Sequence, residues 1–260
     1  MRLSRWIACL AFAAATAHAH DTWFAALPDG SLTLASGNRF PLAETAVDIR
    51  FFVRSGCRGA DAAAPLRALG HERYTDTATV LRIARTSATA APPVTCFVQL
   101  APFELDLPLD KVDVYFKEIR PSDAVRAAWA GLNARGLPFL ERYPKSARID
   151  LGTAALPQPV GISMDAWRLE PTGPLAAGGS ALFQLVREGR PLADFPVELV
   201  NERSPVGLWF RTDAQGRLRA TLPLPGRWLM RGTDLRVSAS DPTRFESQFL
   251  AYSFDVAPAR

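Results

Sequence analysis

The stretch Ala181-Leu182-Phe183-Gln184-Leu185-Val186, closed by Arg187-Glu188-Gly189-Arg190-Pro191-Leu192, decides the fold class. A short β-prone run ended by a turn that carries Gly and Pro reads as a strand. The same signature continues downstream. Val197 to Val200 is the next strand, and Thr212-Asp213-Ala214-Gln215-Gly216-Arg217 is a polar hairpin turn with Gly216 at the left-handed position. Arg217 to Leu222 follows, Pro225-Gly226 turns the chain into Arg227-Trp228-Leu229-Met230, and Phe245 to Val256 closes the sheet. Residues 160–260 therefore read as an immunoglobulin-like or transthyretin-like β-sandwich, a unit of about 100 residues. Trp209 and Phe210 read as core rather than as a partner surface.

Upstream, residues 20–155 read as a second β-rich, sandwich-like unit. Leu32-Thr33-Leu34, Val47 to Val53, Thr79 to Ile83, Val94 to Leu100 and Val112 to Ile119 are short β-prone stretches. Gly30, Gly37, Gly56 and Pro92-Pro93 punctuate them, and Ala60 to Tyr74 reads as a short helix or an irregular excursion. A helical insertion is expected over about 121–146. Pro121-Ser122-Asp123 is a helix start, and Val125, Trp129 and Leu132 share one helical face that reads as core packing. Gly136 is a stop, and Pro138 to Tyr143 is expected to add a second short helix. Leu151 to Pro159 reads as a linker. The fold expected is mainly β, in two sandwich-like domains.

The chain has 260 residues, 48% hydrophobic and 22% charged, with a mean hydropathy of +0.01. That balance excludes a disordered tail protein, a collagen-like chain and a polytopic membrane protein. Lys plus Arg number 30 against 26 Asp plus Glu, and no basic run occurs, so the composition does not point to nucleic acid. Arg2 and Arg5 precede an apolar run from Trp6 to Thr16, too short to span a bilayer with margin, and Ala17-His18-Ala19 offers a signal-peptidase site. Residues 1–19 thus read as a cleaved signal peptide, with an N-terminal membrane anchor as the alternative. The expected mature chain is periplasmic, without an integral membrane segment.

Cleavage after Ala19 would make His20 the amino terminus, followed by Asp21, Thr22 and Trp23. An α-amine and an imidazole on one residue can chelate a divalent transition metal such as Ni, Co or Cu. The amine titrates at about 7.7–8.0, so affinity is expected to fall below about pH 6 as both donors protonate. The other histidine of the mature chain is His71, and a fuller metal site would bring His20, Asp21, His71 and Glu44 together. The plain alternative is that His20 is only the residue after the cut. Export also bears on Cys57 and Cys96, for which a structural disulfide is expected, two buried free thiols being the alternative.

Four segments together resemble the DUF4198 family of exported bacterial proteins: His20-Asp21-Thr22-Trp23-Phe24, Gly37-Asn38-Arg39-Phe40-Pro41-Leu42-Ala43-Glu44, Glu141-Arg142-Tyr143-Pro144-Lys145-Ser146-Ala147-Arg148, and Glu188 through Trp228. The resemblance implies export, and for some members association with nickel or cobalt uptake transporters. A mature N-terminal histidine is a recurrent feature of such proteins, and it maps onto His20. Many such proteins carry histidine where this chain has Asn38, and some near Ser146, so a multi-histidine site is not implied here.

No Gly-x-Ser-x-Gly, His-Glu-x-x-His or Gly-x4-Gly-Lys-Ser/Thr motif occurs, and His71-Glu72 fails the zincin pattern at Thr75. Asp106, Asp110, Asp113 and Glu118 read as solvated surface. An enzyme is therefore not expected. The function expected is a periplasmic accessory or binding protein that handles a transition-metal ion for a membrane metal-uptake transporter. The alternative is a structural or protein-interaction module of the cell envelope.

Overall fold

The computed structural model describes residues 20–59, 63–73, 75, 78–85, 94–153 and 155–259. The expected signal peptide, residues 1–19, and the Pro92-Pro93 turn lie outside these. The protein is mainly β and sandwich-like, and the described strands fall into three sheets. The first contains β1 (Asp21–Ala26), β2 (Leu32–Gly37), β3 (Thr45–Ala46), β6 (Leu66–Arg73) and β7 (Thr79–Arg85). The second, of ten strands, runs β16 (Leu208–Arg211), β15 (Pro196–Asn201), β18 (Gly226–Val237), β19 (Phe245–Val256), β11 (Lys145–Asp150), β8 (Thr95–Leu100), β4 (Phe52–Arg58) and β5 (Ala63–Ala64). In that sheet β10 (Phe139–Tyr143) joins β19 to β9 (Phe103–Leu107). The third comprises β12 (Met164–Glu170), β13 (Ser180–Arg187), β14 (Arg190–Pro191) and β17 (Arg217–Thr221).

The two-residue period of a strand explains how the layers stack. Along β18 and β19, Trp228, Met230, Leu250, Tyr252 and Phe254 face the third sheet, where they meet Phe183, Leu185 and Leu218. The alternate residues Leu229 and Ala251 face the first sheet and join Trp23, Leu34 and Leu81. Both faces of the ten-stranded sheet are therefore covered, and β19 is buried almost throughout. β11, from the first half of the chain, pairs in parallel with β19, from the second half. The expected units 20–155 and 160–260 thus share one continuous sheet.

Two helices cover the far end of the same face. α1 (Leu109–Ile119) replaces the strand expected over Val112 to Ile119. Val112, Tyr115, Phe116 and Ile119 recur at helical spacing, and that face is buried while the intervening residues are solvated. Arg120, at φ 50°, ends the helix in the left-handed region. α2 (Asp123–Asn133) is the helix expected after Pro121, with the Ser122 hydroxyl accepting from the Val125 amide and Val125, Trp129 and Leu132 buried. The helical segment does not extend to 146. Phe139–Tyr143 is strand β10, because Phe139 and Glu141 alternate inward against β9 and β19. Leu66–Arg73 is likewise a strand, where Ala60 to Tyr74 suggested a helix or an excursion. No helix among the described residues is long and apolar enough to cross a membrane.

Cys57 and Cys96 sit opposite each other on β4 and β8 and form a disulfide. The bridge closes a loop with a sequence separation of 39, so removing it frees the unfolded chain. Replacing both cysteines with alanine is expected to lower stability by roughly 3–4 kcal/mol, read as a lower urea midpoint at unchanged pH. A midpoint equal to that of the oxidised parent would show that the bridge does not constrain the unfolded chain.

Candidate functional site

The arrangement around His20 begins with Gly37. A Cβ at Gly37 would meet the carbonyl oxygen of Leu42 and the ring of Trp23. Glycine therefore lets the loop 38–44 fold back across β2. Phe40 packs edge-on against Trp23, with ring centroids 5.7 Å apart. The Glu44 amide bonds to the Ser36 carbonyl at 2.9 Å. This return places the Glu44 carboxylate beside the start of β1.

Glu44 is then held from two sides. Its Oε1 accepts from the Asn38 amide at 3.0 Å, and its Oε2 accepts from Asn38 Nδ2 at 2.9 Å. His20 Nε2 lies 2.9 Å from the same Oε2. An ionised carboxylate can only accept, so Nε2 carries the proton and donates it. In the neutral ring this leaves Nδ1 as the lone-pair nitrogen. Nδ1 and the α-nitrogen of one histidine can close a six-membered chelate on a metal ion. A carboxylate bonded to the far ring nitrogen fixes the tautomer and raises ligand basicity.

The backbone of His20 is anchored as well. Lys145 Nζ donates to the His20 carbonyl at 2.5 Å. That ammonium is buried, 5.7–5.9 Å from the ring centroids of Phe103, Tyr143 and Phe249. Burial pushes the Lys145 ammonium down to about 8, against the pull of Asp21. Asp21 Oδ2 pairs with Arg231 at 2.6 Å, and Arg231 also pairs with Glu198 at 2.6 Å. Burial works against the Arg231 charge, and the two carboxylates more than offset it, so its pKa is raised.

The chain matches no family model, no curated protein and no solved structure.

The four residues expected to gather around a metal are thus placed differently. His20 and Glu44 are in contact, with Glu44 on the Nε2 ring nitrogen. Asp21 is adjacent in sequence but engaged by Arg231. His71 is exposed on β6, opposite Leu81, which faces Leu34, which in turn faces Phe24. Three strand spacings separate it from Phe24, about 14 Å, and His20 lies four residues before Phe24, just ahead of β1. His71 instead lies within electrostatic reach of Asp48. Among the described residues, no group of three or more His, Cys, Asp and Glu forms a metal site. Of the four, the structure brings only His20 and Glu44 into contact.

Sequence reasoning missed Lys145 and Arg231. A signal was present for the first: only three of the 30 basic residues are lysine, and Lys145 is the one inside a motif segment. Arg231 carried none, because 210 residues separate it from its partner Asp21. One of several concavities, about 490 Å³ between α2 and β18, is lined by Asp194, Arg211, Asp234 and Arg236, which are already in pairs. Arg211 bonds Asp194, and Arg187 and Arg236 share Asp234.

Proposed function

We propose that this chain is an exported accessory or binding protein that captures a divalent transition-metal ion, of the Ni, Co or Cu type, at an amino end freed by signal cleavage before His20. A membrane metal-uptake transporter would receive the ion. One observation carries the reading: Glu44 lies 2.9 Å from Nε2 of His20, so Nδ1 is the ring nitrogen left to pair with a freed α-amine. The resemblance to DUF4198 supports it from another side. Position 38, where such proteins often carry histidine, bonds Glu44 here, and position 146 follows Lys145, which holds the His20 carbonyl.

Two donors from one residue make a shallow site, suited to capture and release more than to permanent storage. Open coordination positions would be filled by water or by groups of the receiving protein. Protonation of either nitrogen competes with the ion, so binding weakens toward acid.

The test uses the secreted chain, with its amino terminus read by mass spectrometry. Calorimetric titration with Ni²⁺, Co²⁺ and Cu²⁺ is expected to give one ion per chain. Acetylation of the His20 α-amine abolishes binding, because the amine becomes an amide. Glu44→Gln weakens it by about 10–100-fold. Equal affinity with and without the acetyl group overturns the amino-terminal site. Absence of binding by either form favours an interaction module of the cell envelope.

A further inference from the structure

We propose that the α1–α2 hairpin is a pH-responsive element whose attachment to the central sheet weakens when Glu141 ionises. The inference does not depend on metal binding. Glu141 lies on β10 and is fully buried, in the middle of the aromatic cluster that fixes the helices. Its Oε1 accepts from the Tyr115 hydroxyl of α1 at 2.9 Å and from the Ser247 hydroxyl of β19. Its Oε2 is buried without a hydrogen-bond partner. The titratable groups that face it are Tyr115 from α1 and Tyr143 from its own strand. Among the described residues, no cation from α2, β9, β18 or β19 bonds or pairs with it. A carboxylate in such a place loses its hydration and gains two neutral donors in exchange.

The surroundings make the hairpin the part that responds. Tyr115 ties α1 to Glu141 directly. The helices rest on a cluster of their own, centred on Phe139, Phe116, Trp129 and Phe245, separate from the two inter-sheet cores. Swinging the hairpin away admits water to Glu141 and leaves those cores intact. Burial pushes the Glu141 carboxyl from its ordinary 4.5 up to about 7, against the pull of the Ser247 and Tyr115 hydroxyls. The sign follows from linkage. The closed state holds the proton more tightly than the open state, so the closed state is favoured fully below about pH 4.5 and loses ground as pH rises to about 7.

Hydrogen exchange on the mature full-length chain tests this. Protection of the Val112–Ile119 amides, corrected for chemical exchange rates, is expected to drop roughly a hundredfold from pH 5 to pH 8. Amides of β13 should change little, and Glu141→Gln should hold α1 protection flat across the range. Equal protection at both pH values in the parent, an equal drop in β13, or a persistent drop in Glu141→Gln each overturns the proposal. If Glu141→Gln does not fold, carboxyl-carbon NMR of the parent decides. A Glu141 midpoint near 7 supports the device, and one near the ordinary glutamate value removes it.

Discussion

Arg148→Met is expected to cost about 3–5 kcal/mol. Arg148 is fully buried on β11, between Phe97 of β8 and Tyr252 of β19. Its guanidinium donates to the carbonyls of Leu156 and Gln158 at 2.8 and 3.1 Å and to Asp165 at 3.3 Å. It also lies 3.6 Å from Asp150, which accepts from the Tyr252 hydroxyl. Asp165 in turn accepts from the Val160 amide at 2.7 Å. Methionine fills the volume but strands two buried carboxylates and two carbonyls. Burial already raises both aspartates against the pull of Arg148, so its removal raises them further. Groups raised in the folded state favour it only while protonated, so the deficit should shrink toward pH 4 and be largest at pH 7. Urea unfolding at the two pH values checks this. Adding Asp150→Asn and Asp165→Asn should recover much of the loss, because it removes the uncompensated charges. A deficit under 1 kcal/mol, or one independent of pH, would sink the account.

The same network explains why Leu151 to Pro159 was misleading as sequence. Two prolines, a glycine and small residues read as a linker, yet Leu156, Val160 and Ile162 are buried against Phe97, and Arg148 holds the carbonyls of the segment. Nothing local announces a clamp built by an arginine on a neighbouring strand. The features that were legible are local. The Thr212–Arg217 hairpin closes with Gly216 at φ 70°, the Val125–Trp129–Leu132 stripe is buried, and Cys57 pairs with Cys96. Val112 to Ile119 misread because Val, Tyr, Phe and Ile favour strands, while the helical spacing of the same residues was the stronger signal. The sharing of one sheet by both halves was invisible, since parallel pairing of β11 with β19 is a contact across about a hundred residues. At the candidate site, His20 and the Gly37–Glu44 segment were readable as motifs. The bond between them, and the distance of His71, depend on how β1, β2, β7 and β6 line up.

Phe139→Ala is expected to cost about 3–5 kcal/mol and to loosen the helical hairpin selectively. The ring of Phe139 is fully buried and stacks on Phe245 with centroids 4.7 Å apart and planes 13° apart. Trp129 meets it edge-on at 5.2 Å, Phe116 at 5.8 Å and Tyr115 at 6.0 Å. Both helices thus meet at this one side chain of the sheet, and truncation leaves a cavity that four large rings cannot collapse to fill. Phe139→Leu keeps most of the volume and should cost much less. The inter-sheet cores do not contain Phe139, so near-ultraviolet signals from Trp129 should fade at lower urea than those from Trp228 in the third-sheet core. Coincident loss of both signals would mean that the hairpin and the sandwich unfold as one unit. The hairpin would then have no opening of its own through which Glu141 could exchange its proton.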